Sequence, residues 1–401
     1  MERLKGLGAA LGQELESILT FWSVKMKDPV QGGFFGAMDH AGNIHTDAPK
    51  GTVLNARILW TFSSAAKLLQ NEGYAILAHE FYSWFTGKFF DVNFGGVYWS
   101  VSSSGKPLDT KKQIYAQAFS IYALAAYFGI SQNRDALNKA IGLYHCIEKY
   151  SFDEKHGGYL EAFTRDWQPL DDLRLSEKDA NEKKTMNTHL HVLEGYTLLY
   201  KYWPDAGLGQ KIAGLLEIFR DKILQMETQT QGLFFSEKWE RKDHLVSYGH
   251  DIEAAWLLQE AAEVLGNEAW IDWARQTAIN LAESSLKGMD ADGGLWYEMD
   301  LRQNHLVKEK HWWPQAEAMV GYFNAWQVSG HGRFLEQVFN TWQFIRAHLL
   351  DQDLGEWKWG VRQDYSVMDT EDFAGFWKCP YHNGRCCMEL IKRIGDLGQG
   401  G

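Results

Sequence analysis

Residues 95–128 read GGVYWSVSSSGKPLDTKKQIYAQAFSIYALAAYF, and this stretch decides the fold. Gly95-Gly96 opens an extended aromatic segment, Ser103-Ser104-Gly105-Lys106 is a polar turn, and a second short extended stretch follows. That pattern suits a β-hairpin. From Tyr115 to Phe128 there is then no charged residue. A helix that is apolar on every side must be surrounded by protein. The same unit recurs at Gly32-Gly33-Phe34-Phe35, Gly157-Gly158-Tyr159, Gly232-Leu233-Phe234-Phe235, Gly293-Gly294-Leu295-Trp296-Tyr297 and Gly355-Glu356-Trp357-Lys358-Trp359. Between positions 33, 96, 158, 232, 294 and 355 the intervals are 63, 62, 74, 62 and 61 residues. A fixed period of this kind marks a repeat architecture.

Two helical patterns separate successive hairpins. One is amphipathic, as in Leu137, Ala140, Ile141, Tyr144 and Ile147, which share a face. The other follows each hairpin and is apolar nearly all round. The spacing predicts an outer ring of six amphipathic helices (about 4–24, 73–88, 133–149, 207–225, 267–286 and 332–349) and an inner ring of six buried ones (about 51–70, 113–129, 185–203, 250–265, 312–328 and 381–395). The prolines agree: Pro49, Pro107 and Pro169 lie in connections, Pro314 and Pro380 lie at inner-helix starts, and none of the seven interrupts a periodic run. An open solenoid of helix pairs is the alternative. Uniform period and the absence of polar capping repeats favour an all-α fold, a closed (α/α)6 barrel of twelve helices with short β-hairpins at the active-site mouth. Residues 1–401 then form a single catalytic domain.

Composition bounds the function. With 40 basic and 52 acidic side chains the net charge is −12, which lacks the basic footprint that nucleic acid or an anionic membrane demands. The N-terminal residues carry Glu2, Lys5, Glu14 and Glu16 and do not read as a signal peptide. Cys146, Cys379, Cys386 and Cys387 do not resemble a disulfide framework. The stretch from Ile114 to Ile130 is interrupted by Gln117 and Ser120 and falls short of a comfortable membrane span. A reduced compartment, the cytoplasm, and a monomer or weak oligomer are expected. The 18 Trp, 17 Tyr and 22 Phe residues either fill a large core or line a groove for a flat apolar ligand face.

In a closed double ring all six inner helices open at the hairpin end, the one deep concave place. Their starts carry Arg57, Tyr115, Asn187 with His189 and His191, His250 with Glu253, Trp312 with Trp313, and His382 with Asn383. Burying such groups costs free energy unless they are paired or used. Arg57 on an apolar helix has an ordinary explanation, a buried carboxylate partner. A lone His191 would be a hydrogen-bonded core residue. His189 and His191 lie on different sides of their helix, whereas Asn187 and His191, four apart, share a face. His191 is therefore assigned to the site and His189 to packing. His250 and Glu253, three apart, place Glu253 to orient the imidazole. Trp312 and Trp313 point differently, and at least one belongs to the core. No GxxxxGK[ST] or GxGxxG loop supports a nucleotide, and no HExxH or paired short ligand spacing supports a metal, so no cofactor is expected. A Ser-His-Asp nucleophile has no elbow sequence behind it. Metal-free acid–base chemistry by histidines is what remains: two imidazoles on opposite faces of one carbon can remove a proton and return one, with Arg57 stabilising an enediolate oxyanion.

The motifs at these starts carry a resemblance. Lys50-Gly51-Thr52-Val53-Leu54-Asn55-Ala56-Arg57, Lys184-Thr185-Met186-Asn187-Thr188-His189-Leu190-His191, Ser247-Tyr248-Gly249-His250-Asp251-Ile252-Glu253 and Trp377-Lys378-Cys379-Pro380-Tyr381-His382-Asn383-Gly384-Arg385 resemble the cellobiose 2-epimerases of the N-acylglucosamine 2-epimerase superfamily, over essentially the whole chain. The resemblance implies an (α/α)6 barrel, no metal or nucleotide cofactor, and reversible C2 epimerisation of the reducing-end glucose of β-1,4-linked disaccharides, cellobiose to glucosyl-mannose and lactose to epilactose. It implies His250 and His382 as the acid–base pair and His191 as an aid to ring opening. Arg57 would lie at the C2 oxygen, Asn187 would position hydroxyls, Tyr115 would stand at the mouth, and Trp313 and Trp377 would stack on sugar. The third interval is the long one, and its excess, residues 170–182, is a charged loop. It is expected to close over the distal sugar, with Asp179 as the contact that the resemblance suggests. A mannose 2-epimerase or mannose isomerase shares the barrel and the histidines and is the alternative. An inverting glycoside hydrolase would need two facing carboxylates, and a non-catalytic sugar binder would not need three inward histidines.

Overall fold

The computed structural model describes residues 1–399. Among them, twelve α-helices alternate along the chain: α1 (Glu2–Thr20), α2 (Thr52–Leu69), α3 (Glu72–Phe89), α4 (Ile114–Ser131), α5 (Arg134–Tyr150), α6 (Met186–Tyr202), α7 (Ala206–Ile218), α8 (Tyr248–Leu265), α9 (Glu268–Ser285), α10 (Trp312–Ser329), α11 (Gly332–His348) and α12 (Tyr381–Gln399). The even-numbered helices are inner. Every residue of α4 from Ile114 to Phe128 is buried, whereas α5 buries only the stripe Ala136, Leu137, Ala140, Leu143, Tyr144 and Ile147. This is the difference between a helix enclosed by protein and one that faces solvent on one side. In length and composition α4 would also span a membrane, and it lies 83% buried inside the ring. Single π-turns, Phe21–Lys25 and Phe219–Ile223, prolong α1 and α7 to near their expected ends. The inner helices pack in the order α2, α4, α6, α8, α10, α12, and α12 returns to α2. That last contact closes the ring and excludes the open solenoid, so the fold is an (α/α)6 barrel. All four cysteines are free thiols.

The hairpins are tied across repeats. The short strand before each inner helix pairs with the hairpin of the next repeat: Lys50–Gly51 with Ser100–Val101, Lys112–Gln113 with Ala162–Phe163, and Lys184–Thr185 with Phe234–Phe235. Leu245–Ser247 with Glu298–Asp300 and Lys310–His311 with Gly360–Val361 continue the series. A bridge from Met38 to Ala374 joins the last repeat to the first. Buried lysines reinforce the arrangement. Nζ of Lys50, Lys112, Lys184, Lys310 and Lys378 donates to Asp28, Asp91, Asp153, Asp290 and Glu356 at 2.7–3.0 Å. Five residues after three of these lysines a polar side chain clips the hairpin backbone. Gln117 holds both N and O of Val97, Gln315 does the same for Leu295, and His189 Nε2 accepts from Tyr159 N at 2.9 Å. His189 is thus a structural clip, with Nδ1 donating to Thr185 O.

Tryptophans staple one repeat to the next. Trp167 and Trp239 sit in left-handed turn positions (φ 65° and 67°), and their indoles donate to Phe94 O and His156 O of the preceding repeat. Each ring lies against a glycine. A Cβ on Gly96 (φ +72°) would stand 2.7 Å from Trp167, and one on Gly158 (φ +80°) 2.4 Å from Trp239. The paired glycines are therefore required by the turn and by the close approach of an indole.

Candidate active site

The amino termini of the inner helices surround a cavity of about 400 Å³. Arg57, Tyr115, Asp179, Asn187, His191, His250, Glu253, Trp313, Trp377 and His382 all line it, so every residue singled out from the sequence for the site reaches one place. A larger cavity of about 630 Å³ opens at the opposite end, lined by side chains such as Lys201, Glu260, Asn324 and Arg393 and by no histidine.

Arg57 on α2 is 3% exposed, and among the described residues no carboxylate pairs with it. Its Nη2 donates to the Tyr115 hydroxyl at 2.9 Å, the rings of Phe119 and Tyr381 lie 4.2 and 4.7 Å from its centre, and Nε has no partner. Burial works against the charge, but Tyr115, Cys379, Tyr381 and Glu253 hold the guanidinium above its ordinary range. The buried-ion-pair explanation of Arg57 is thereby removed. Tyr115 lies deep rather than at the rim, pinned by Arg57 and edge-on to His191, with ring centroids 5.0 Å apart. Asn187 shares the cavity face with His191 as its spacing requires, and its Oδ1 is buried without a partner.

Four histidines line the cavity; His311 stacks on Tyr297 and meets Glu309 through Nε2, and the other three are held through Nδ1. His191 Nδ1 meets Glu194 at 2.8 Å, His382 Nδ1 meets Glu317 at 2.7 Å, and His250 Nδ1 meets Ser247 Oγ at 2.8 Å. Each therefore presents Nε2 with no hydrogen-bond partner among the described residues. A carboxylate behind Nδ1 fixes the neutral tautomer whose Nε2 carries the lone pair. The Ser247 hydroxyl donates or accepts, so it suits either tautomer of His250. Burial pulls His250 and His382 down to about 3 and lowers His191 as well, so all three are neutral bases at neutral pH. His250 and His382 both pack against Trp313, at 4.7 and 5.7 Å between ring centroids. Trp312 is the more deeply buried of the pair, packed against Trp359, and both also reach the cavity wall.

Glu253 does not orient His250, contrary to its three-residue spacing. It points away toward α12, accepts from Arg385 Nη2 at 2.7 Å and lies 3.9 Å from His382 Nδ1. The spacing puts two side chains on one helix face, but a buried guanidinium outcompetes a neutral imidazole for the carboxylate. Burial and the neighbouring Glu317 charge push the Glu253 carboxyl up, whereas Arg385 and His382, against burial, hold Glu317 low. Glu253, Glu317 and His382 bring ligand atoms within 4.8 Å of one another, a cluster that suits a cation. Arg385 supplies that cation, its Nη2 bonding both carboxylates at 2.7 Å.

The long loop lies over this cavity. Leu175, Ser176, Lys178 and Asp179 face it. Gln113 Nε2 holds the carbonyls of Leu173 and Arg174 at 3.1 and 2.8 Å, Lys178 reaches Glu371 across the mouth at 3.5 Å, and Asp179 Oδ2 accepts from Ser176 N and Oγ. Asp172 and Arg174 pair with each other in solvent, as surface charges do. Trp377 closes the other side, beside Trp99 and Tyr115.

The family model for N-acylglucosamine 2-epimerase matches residues 33–386. The chain belongs to the N-acylglucosamine 2-epimerase family. Its place is therefore among the carbohydrate epimerases. It is 47% identical to a cellobiose 2-epimerase of Bacteroides fragilis over 93% of this chain and 95% of that one. It superposes on the solved cellobiose 2-epimerase of Bacillus thermoamylovorans with a TM-score of 0.93 and 39% identity, covering 97% of this chain and all of that one. A D-mannose isomerase structure at 20% identity, covering 96% of this chain and 98% of that one, shares the fold, with a TM-score of 0.83.

Glu194, Ser247, Glu317 and Arg385 escaped the sequence reading. His191 and Glu194 have the same three-residue spacing as His250 and Glu253, so that signal was available and was applied to the other pair. Glu317 meets His382 from 65 residues away, and Arg385, one turn after His382, bonds that carboxylate rather than the imidazole. For Glu317 no local pattern announces the contact.

Proposed function

We propose that this protein epimerises at C2 the reducing-end glucose of β-1,4-linked disaccharides, converting cellobiose to glucosyl-mannose and lactose to epilactose. The observation that carries the reading is a single cavity in which, among the described residues, Arg57 pairs with no carboxylate and the Nε2 atoms of His191, His250 and His382 have no hydrogen-bond partner. His191, backed by Glu194, assists proton movement at O1 and the ring oxygen as the sugar opens. In the open aldehyde, Nε2 of one of His250 and His382 takes the C2 proton, and the C–H electron pair passes through C1 to oxygen as a cis-enediolate. Arg57 stabilises that oxyanion with its buried guanidinium. The other histidine, which takes up a proton from solvent, delivers it to the opposite face of C2, the first imidazolium gives its proton back to solvent, the enediolate returns to the aldehyde, and ring closure gives the C2 epimer. Nothing is oxidised or reduced overall, so the reaction requires no redox cofactor. Glu317 stabilises an imidazolium at His382, and Ser247 accommodates either tautomer of His250.

The distal sugar is assigned to the space between Trp377 and the 170–182 loop, with Asp179 as its hydrogen-bond partner. The likeness to cellobiose 2-epimerases over nearly the whole chain supports a disaccharide substrate. Glycoside hydrolysis is disfavoured, because Glu253 and Glu317 share one guanidinium instead of facing each other across the cavity. Incubation with cellobiose, lactose, mannose and glucose, with products separated by chromatography, tests the reading. Glucosyl-mannose and epilactose are expected as principal products. Release of glucose, or turnover confined to the monosaccharides, would sink it.

A further inference from the structure

Arg385 does not line the cavity, yet its guanidinium gathers the groups behind it. The residue is 1% exposed and lies against the faces of Trp256 and Tyr381, 4.7 and 4.2 Å from their ring centroids. Nη1 donates to Glu194 and contacts the Tyr381 hydroxyl, and Nη2 donates to Glu253 and Glu317. The partners come from α6, α8, α10 and α12. The second oxygen of Glu194 holds His191, and the Glu317 oxygen that meets Arg385 also holds His382. One buried cation therefore carries the two carboxylates that fix two cavity histidines.

We infer that Arg385 is a positioning residue that couples the protonation of His191 to that of His382, so that the two imidazoles and the three carboxylates behind them titrate as one system. Three ionised carboxylates around one guanidinium would bury two uncompensated negative charges, which is costly. A proton on Glu253 removes one of them, and the other is matched only when one of the two histidines, both neutral at rest, takes up a proton and becomes an imidazolium. When one histidine takes that proton, its carboxylate is drawn toward it and its hold on Arg385 weakens. The guanidinium then settles on the other carboxylate and opposes a second imidazolium. The remaining neighbours do not offer an alternative counter-charge. Arg57 on α2 disfavours either imidazolium. Tyr115 and Tyr122 on α4, Tyr381 on α12 and the thiols of Cys379 and Cys386 are pushed up by burial and stay neutral. Glu260 and Glu389, farther down, are committed to Lys201 and Arg393. His250 on α8 meets Ser247 rather than a carboxylate and touches the set only through space; burial lowers it most, His191 lowers it further and Glu317 raises it.

The inference rests on the reading of these histidines as proton carriers, but its test follows titration, not turnover. The imidazole nitrogens of isotopically labelled protein are titrated by NMR in the unsubstituted chain and in Arg385→Met, across the pH range in which each stays folded. Loss of the guanidinium raises the midpoints of His191 and His382 together, by roughly one unit or more. A midpoint rise at only one of them, or at neither, in a folded variant overturns the inference. Should Arg385→Met not fold, Glu194→Gln supplies the reading. Removing this distant carboxylate lets Arg385 settle on Glu317, so the Nδ1–H resonance of His382 moves at neutral pH, and an unmoved resonance overturns the inference. Normal cellobiose turnover with no such coupling refutes the role of Arg385 alone, whereas coupling without any sugar turnover refutes the proposed function alone.

Discussion

A buried arginine with no carboxylate partner separates architecture from chemistry at the scale of one side chain. Were Arg57 a structural ion-pair member, its removal would strand a buried anion and destabilise the fold by about 3–5 kcal/mol. Here nothing is stranded, since the Tyr115 hydroxyl is its hydrogen-bond partner. Arg57→Gln is expected to leave the melting temperature near that of the unsubstituted protein while kcat falls by about 10²–10³-fold, as for loss of an oxyanion donor. A large drop in melting temperature with kcat preserved would restore the structural explanation. At this scale the site was legible where a polar group stood on an otherwise apolar helix, as with Arg57, Asn187, His191, His250 and His382. It was illegible where the meaning depended on a partner. Glu253 and Glu194 have equivalent spacings to a histidine, and only the arrival of Arg385 from α12 makes one of them abandon its neighbour.

Hairpins, clips and the long loop are where element-scale packing makes the barrel and shapes its mouth. The period was visible because each repeat announces itself locally, with glycines that turn the chain and a charge-free helix. The pairing of each inner-helix strand with the following repeat was not visible, because partners some 50 residues apart, such as Gly51 and Ser100, leave no local signature. The same holds for His189, whose role as a clip becomes plain beside Gln117 and Gln315. Gly158→Ala is expected to destabilise by about 1–3 kcal/mol, because a left-handed residue gains a methyl 2.4 Å from the Trp239 ring. Denaturant melts check this, and a change within about 0.5 kcal/mol would place it with ordinary surface substitutions and remove the indole staple from the account. For the loop, Gln113→Ala releases the carbonyls of Leu173 and Arg174. It is expected to raise KM for cellobiose with little effect on kcat, the mark of lost substrate binding. An unchanged KM would mean that the loop does not cover the distal sugar.

Across the whole molecule, burial displaces many titratable groups in opposing directions, and the sum shapes stability against pH. His189, His250 and His382 fall from an ordinary 6.5 to about 4, 3 and 3 because they are buried. Their contribution is present above 6.5 and is lost as the pH falls toward those values. Glu14 and Glu161 rise from 4.5 to about 7 and 8, and Asp251 from 3.8 to about 7, again through burial. Their contribution is present below their ordinary values and is lost as the pH rises through 7 to 8. Between roughly 4.5 and 6.5 the two sets oppose each other, so the melting temperature should be nearly flat there, and it should decline on both sides. A melting temperature that climbed steadily from pH 6.5 to 8 would contradict the burial of these carboxyls. Length at this scale misleads, since a chain of 401 residues suggests several domains yet forms one six-fold ring. Many of its tryptophans hold that ring together, and Trp313 and Trp377 are the ones assigned to sugar.

The central claim, proton transfer at C2 between two histidines, is tested most directly by incubating the protein with cellobiose in D₂O and locating deuterium by NMR. Deuterium is expected at C2 of the reducing-end residue of both epimers, with exchange reduced by about 10²–10⁴-fold in His250→Ala and in His382→Ala. Epimer formed without deuterium at C2, or full exchange retained in both variants, would contradict that claim.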